Sequence, residues 1–290
     1  MFYLLALFVL GAILGSFLNV VAVDSMKVYM REKLYERSEA AYIFKQLTSK
    51  SFWKHLFTHR SSCDTCDAVL TPKELVPVVS YLWQKGKCRS CDTSFAPQHL
   101  YVELISGVMF FFIFLHVFNS YEVLSGMFIA EIFFMFVFFS LAIILMIFDY
   151  EHMIVPNALV YPMLGMALIG HTLGFMSLPQ IPLTESAIAA VVLALPLFLF
   201  WFVSKGRWMG GADSKIGLVM GAFLGFSMGI SAWVFSFWIG AGISILLVLL
   251  AGRIRSSGKP VTLKSAIPFG PFLILALWFV YVSGISLFIL

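Results

Sequence analysis

Charge is scarce in this 290-residue chain: Asp, Glu, Lys and Arg together make up 12% of it. A soluble domain carries about 25%. Hydrophobic residues reach 61%, and the mean hydropathy is +0.95. That much apolar surface has no place to hide in water. Disorder, collagen, coiled coil and a water-soluble enzyme are excluded, and an all-α polytopic membrane protein remains. The alternation of apolar and polar residues that marks a membrane β-barrel is also missing. Its place is taken by continuous apolar runs of about 20 residues, the length that spans a bilayer as helix. No Lys or Arg precedes Lys27. The first run, Phe2–Val23, therefore lacks the basic start of a signal peptide, and it is too long for a signal-peptide core. It reads as a membrane helix. No cysteine lies outside Cys63–Cys91, and no internal repeat is visible.

Further apolar runs cover Leu100–Phe118, Val123–Phe148, Ala158–Phe175, Ser186–Val203, Ile216–Phe226, Ser231–Ala251 and Ala266–Leu290. Breaks fall at Asn119-Ser120, Pro156-Asn157, Pro179–Pro182, Gly210-Gly211 and Pro268–Pro271, residues that punctuate helices. The expectation is eight transmembrane helices, the sixth short. The chain divides into a first membrane helix (1–23), a loop domain (24–99) and a seven-helix membrane core (100–290).

Lys and Arg are confined to three segments. Asp24–His99 holds twelve of them, Ser204–Lys215 three and Gly252–Ala266 four, which accounts for all 19. Eight alternating helices put all three segments on one side, and the positive-inside rule makes that side cytoplasmic. The termini then face outward. The segment Asp149–Val155 carries no Lys or Arg and falls on the cytoplasmic side by helix parity.

The four cysteines form two pairs, Cys63/Cys66 and Cys88/Cys91, spaced as in a zinc ribbon. The cytoplasm is reducing and disfavours disulfides. Four thiolates close a tetrahedral ion and leave no position for water, so zinc here is structural. It folds a small loop domain that has little core of its own.

Two acids stand at helix ends near the cytoplasmic face. Asp149 ends the third apolar run in Phe148-Asp149-Tyr150-Glu151-His152, upstream of Pro156. Asp213 follows Gly210-Gly211-Ala212, with Lys215 two residues on. Carboxylates at membrane depth are expensive and mark functional candidates. Two brought together share one proton: the ionised one takes a proton from water, and the protonated one polarises a peptide carbonyl. That is aspartic-protease chemistry and needs no metal. Gly210 and Gly211 let backbone approach closely. As ordinary helix-end charges, the two acids would carry no chemistry.

Glu103, Glu131 and Asn19 read as polar contacts between helices. The phenylalanine-rich stretch Phe110–Phe139 reads as lipid-facing. Segment Ser25–Leu47 reads as a surface-lying amphipathic helix or one packed on the loop domain. Its basic residues alternate with Glu32, Glu36 and Glu39, which gives no surface for nucleic acid.

The ordered blocks Gly11…Gly15-Ser16-Phe17-Leu18-Asn19, Cys63…Cys66, Leu75-Val76-Pro77-Val78-Val79-Ser80-Tyr81-Leu82, Cys88…Cys91, Tyr101-Val102-Glu103, Asp149…Pro156, Gly210…Lys215 and Ile267-Pro268-Phe269-Gly270-Pro271 are together similar to the type IV prepilin leader peptidases, many of which are also N-methyltransferases. The resemblance implies an eight-helix enzyme of the bacterial inner membrane. It would cleave a basic leader from prepilins or pseudopilins after a glycine. Asp149 and Asp213 match the catalytic pair, with Gly210, Gly211, Lys215, Glu151 and Pro156 around them. It further implies S-adenosylmethionine as methyl donor to the freed N-terminal amine. The family's second motif is usually Gly-x-Gly-Asp; here Ala212 stands at the third position. A His-Arg-Leu-Pro-like stretch commonly follows the first helix; here the chain reads Val23-Asp24-Ser25-Met26-Lys27. Two other functions fit the residues: a peptidase without methyl transfer, and a transporter or channel whose acids bind ions and whose helices break at Gly210 and Pro268.

Overall fold

The computed structural model describes residues 2–33, 63, 65, 66, 68–122, 125–250 and 267–287. Among them the regular structure is helical. The helices are α1 (Phe2–Lys33), α2 (Val79–Trp83), α3 (Gln98–Ser120), α4 (Gly126–His152), α5 (Asn157–Leu173), α6 (Leu183–Ser204), α7 (Gly211–Leu250) and α8 (Gly270–Ser283). Five of them are long and apolar enough to cross a membrane: α1, α3, α4, α6 and α7. The chain is an integral membrane protein.

Helix α1 continues to Lys33, ten residues past the expected end of the first apolar run. No Gly or Pro interrupts Val23–Lys33, so nothing stops the helix when its apolar character ends. The rest of segment Ser25–Leu47, and the basic loop Gly252–Ala266, lie outside the described residues.

Helix α7 merges the sixth and seventh expected runs and breaks at Gly225, whose φ of 72° and ψ of −163° are not helical. A methyl group built on Gly229 would lie 3.8 Å from Gly221 Cα. Eight residues of straight helix would separate the two by about 12 Å. The chain therefore doubles back at Gly225, and limbs 211–224 and 226–250 run side by side. Only glycine adopts this positive φ without strain.

Two compact units divide the chain: Met1–Ile144 with Pro156–Ala158, and Leu145–Val155 with Leu159–Leu290. In the first, α1 packs on α3 through small residues. Side chains at Gly11 or Gly15 would meet Phe110, Gly107 and Ser106. This spacing of small residues brings helix backbones close, which is what drives association in lipid. Asn19 of α1 donates from Nδ2 to His99 Nδ1 of α3 at 2.7 Å. Tyr121 donates to the buried Glu131 carboxylate. The phenylalanine stretch is split rather than uniformly lipid-facing: Phe112 and Phe133 are exposed, while Phe110, Phe138 and Phe139 are fully buried. A helix with neighbours on one side must bury one face, and phenylalanine fills it.

In the second unit, α6 packs against α7. Side chains at Gly217 or Gly221 would run into Leu193, Leu197 and the Ala189 backbone. Helix α8 lies on α7 through Phe237 against Phe269, ring centroids 4.9 Å apart, and Phe223 against Tyr281 at 5.3 Å.

Candidate functional site

The second unit brings together the last turn of α4, the first turn of α7 and the start of α8. Asp149 sits three residues before the end of α4. Its backbone carbonyl accepts from Met153 N–H at 2.8 Å, closing the helix over a left-handed Met153. Its side chain is turned inward and 97% buried, 3% of its surface remaining exposed. There Asp149 Oδ2 accepts the backbone N–H of Gly270 at 2.9 Å. Gly270 opens α8, where N–H groups lack helical partners. A methyl group on Gly270 would overlap the Asp149 carboxylate. This glycine is required by close approach.

Asp213 lies in the first turn of α7 and is equally buried. Its backbone N–H donates to Gly210 O at 3.2 Å. Ile216, one helical turn on, lies beside Gly270, so α7 faces the same α8 terminus that holds Asp149.

The surrounding residues fall as follows. Gly210 is exposed at the α7 start, with Asp213 Oδ2 3.5 Å from where its side chain would begin. Gly211 packs under the Trp201 indole, 3.1 Å from a Cβ built there. Ala212 has no positive φ, so its methyl group is accommodated without strain. Lys215 donates from Nζ to Val155 O at 3.2 Å, tying α7 to the segment that leaves α4. Pro156 is buried immediately after that carbonyl. Glu151 lies 3.8 Å from His152 Nε2 beside the end of α4. Gly270 belongs to a motif block visible in the sequence, but nothing there connects its N–H to Asp149.

The first unit holds a second cluster. All four cysteine sulfurs lie within 4.8 Å of one another. Cys63 Sγ is 3.8 Å from Cys91 Sγ, and Cys66 Sγ is 3.9 Å from Cys88 Sγ. Zn–S bonds of 2.3 Å in a tetrahedron place sulfurs about 3.8 Å apart. The two knuckles repeat one turn: Cys63 N–H donates to Ala68 O, and Cys88 N–H to Thr93 O. In each the first cysteine is buried. Backbone N–H groups point at the sulfurs, Ser90 N lying 3.4 Å from Cys88 Sγ. The amides of Thr65 and Cys66 hold Cys63 below the ordinary thiol value. The hydroxyl and then the amide of Thr93 bring Cys91 down to about 6. The Ala68 amide favours the Cys66 thiolate, but Cys91, burial and the other two cysteines outweigh it and push Cys66 up to about 12. Backbone donors suit a metal ion, which binds thiolate and not thiol, and four crowded sulfurs are what a cation would relieve. The cluster is disposed to hold one.

Glu103, expected as a helix–helix contact, instead accepts the backbone N–H of Val78 at 2.8 Å, and so holds the loop domain to α3.

Two family models match. The bacterial peptidase A24 N-terminal domain covers residues 9–117, and the type IV leader peptidase family covers residues 136–245. Proteins named prepilin leader peptidase/N-methyltransferase are similar over nearly the whole length. The one from Aeromonas salmonicida is 27% identical over 98% of this chain and 92% of its own. That from Pseudomonas aeruginosa is 28% identical over 97% and 91%. That from Bacillus subtilis is 31% identical over 79% and 83%. No solved structure matches.

Proposed function

Because this chain belongs to the type IV leader peptidase family, we propose that it is a membrane aspartic endopeptidase that removes the basic leader of prepilins or pseudopilins after a glycine and then N-methylates the new terminus. The observation that carries the reading is the pair of buried carboxylates at the ends of α4 and α7, one of them held by the Gly270 N–H. Such a pair performs general acid–base catalysis. The ionised Asp takes a proton from water as that water attacks the scissile carbonyl. The protonated Asp donates to the carbonyl oxygen, and a tetrahedral diol forms. On collapse a proton returns to the departing amine. Lys215, through Val155, fixes the α4 exit against α7. Glu151, two residues beyond Asp149, is an acid that the leader's cations would meet.

The site lies at the cytoplasmic face of the inner membrane in this reading, with the N-terminus outside and segment 24–99 inside. The substrate's apolar helix stays in the bilayer, and its basic leader stays in the cytoplasm. Cys63, Cys66, Cys88 and Cys91 hold a structural zinc ion that joins the two knuckles. Bound S-adenosylmethionine would supply an electrophilic methyl group for the freed amine.

Incubating purified protein with a prepilin and S-adenosylmethionine, then weighing the product, tests both activities. The expected product lacks the leader and carries one added methyl group. Asp149→Asn and Asp213→Asn each lower cleavage by about 10²–10⁴-fold, with unfolding temperature unchanged. Retained cleavage in either variant refutes the dyad. A leaderless, unmethylated product identifies a peptidase alone.

A further inference from the structure

The short helix α2 has its apolar face on the outside. Val79, Leu82 and Trp83 stand at i, i+3 and i+4, one face of a helix. They are 54%, 62% and 80% exposed. The opposite side carries Tyr81, whose ring lies against Gly86 and whose hydroxyl points at Phe95 O, within the cysteine domain. This is the reverse of what a water-facing helix shows. Three exposed cations follow, Lys85, Lys87 and Arg89, of which Arg89 lies 4.0 Å from the Glu74 carboxylate.

What covers this face is indicated by its depth. Val78, the residue before α2, donates its N–H to Glu103 of the membrane helix α3. Val78 itself is a β-branched residue at φ 63°, a backbone state that persists only when its surroundings enforce it. Glu103 lies five residues, about 7.5 Å, beyond the start of α3. Helix α2 is itself only about 7.5 Å long. All of it therefore stays near the level of the first turns of a membrane span. The headgroup layer on each side of the hydrocarbon is about 5–7 Å thick. At the same level α3 exposes Tyr101, on one helix face with the exposed apolar residues Val108 and Phe112.

We propose that α2 lies in the interfacial layer of the bilayer, with Val79, Leu82 and Trp83 inserted at the acyl boundary and Lys85 and Lys87 on anionic phospholipid headgroups, so that the four-cysteine domain is fastened to the membrane surface. Tryptophan at headgroup depth with cations beside it is the pattern of an interfacial anchor. The proposal rests on the membrane character of the chain and not on the catalytic reading.

The test uses the full chain in vesicles of phosphatidylethanolamine and phosphatidylglycerol, with p-benzoylphenylalanine in place of Trp83 and, separately, of Tyr81. On irradiation the position-83 protein gains the mass of a phospholipid, with phosphatidylglycerol enriched over its bulk share, and the position-81 protein does not. An adduct to added prepilin, to a second copy or to another part of the chain, or no adduct at all, overturns the proposal. Adducts in the bulk lipid ratio overturn its anionic preference. Where the substituted protein fails to fold, brominated lipids give a second reading. The wild-type tryptophan emission, from seven residues, is quenched more than that of Trp83→Phe. Equal quenching overturns the insertion of Trp83.

Discussion

A carboxylate at membrane depth must be fixed in position before it can catalyse anything, and for Asp149 the fixing group is one backbone N–H. The first N–H groups of a helix have no partner within it, so the start of α8 has a donor to give. Gly270 gives it because the absent side chain leaves room for the carboxylate. This argues for a specific outcome. Gly270→Ala raises intrinsic helix propensity, so α8 persists. The methyl group displaces the Asp149 carboxylate, and misplacement on the order of 1 Å lowers turnover by roughly 10²-fold. Cleavage kinetics should show the loss in kcat with KM little changed. A change confined to KM would instead place Gly270 on the substrate. Ala212 argues the other way. It stands where relatives of the leader peptidase family usually carry glycine, but its backbone does not need a positive φ, so the extra methyl group is compatible with the site.

At the scale of elements, membrane helices have no hydrophobic force to bring them together, and small residues do the joining. Gly11 and Gly15 on α1 meet Ser106 and Gly107 on α3. Gly15→Ala should therefore destabilise the α1–α3 pair by about 1–3 kcal/mol through overpacking. Ser106→Gly, which removes the colliding group, should restore most of the loss in a thermal unfolding series in detergent. Additive losses would mean that the two residues do not share this contact. The cysteine knuckles join in another way, through a shared ion. Changing Cys63 and Cys66 to Ser should abolish stoichiometric zinc in the purified protein, measured by elemental mass spectrometry. Zinc retained by that variant would mean it binds elsewhere. The elements were legible unequally. The apolar runs of α1, α3, α4 and α6 stand out because bilayer thickness demands continuous apolar length. The paired cysteines stand out because a tetrahedral ion demands that spacing. The end of α1 was not legible, since loss of hydropathy does not stop a helix. The reversal at Gly225 falls where the expected sixth and seventh runs, Ile216–Phe226 and Ser231–Ala251, part, and only the turning residue itself was not legible. The bond from Gly270 to Asp149 spans 121 positions, and no local pattern encodes it. The inward face of the phenylalanine stretch depends on neighbours that the stretch itself does not specify.

At the scale of the whole molecule, charge is arranged to orient the chain. All 19 Lys and Arg fall in the three segments expected inside, and the loops expected outside hold only Glu122 and Glu185 as charged residues. An insertion machinery that retains cations on the cytoplasmic side would thread the helices in one sense only. The reversal at Gly225 matters to this arithmetic. If α7 ran straight through, its residues 211 and 250 would lie on opposite faces; because it doubles back, both limbs end on the same one, which is what the expected placement of Ser204–Lys215 and Gly252–Ala266 on one side requires. In the proposed topology that face also carries the ends of α4 and α7 with Asp149 and Asp213, and a basic leader held inside by the same rule would reach them without crossing the bilayer. Alkaline phosphatase, which is active only outside, reads the arrangement directly. Fusions truncated after residues in 119–125 or 174–182 should be active, and those after 205–209 or 253–258 inactive. A fusion within 225–230, at the outward turn, is the decisive one. Activity there requires the hairpin, whereas inactivity there with activity at 253–258 would mean that α7 crosses once, and the dyad would have to be sought on another face.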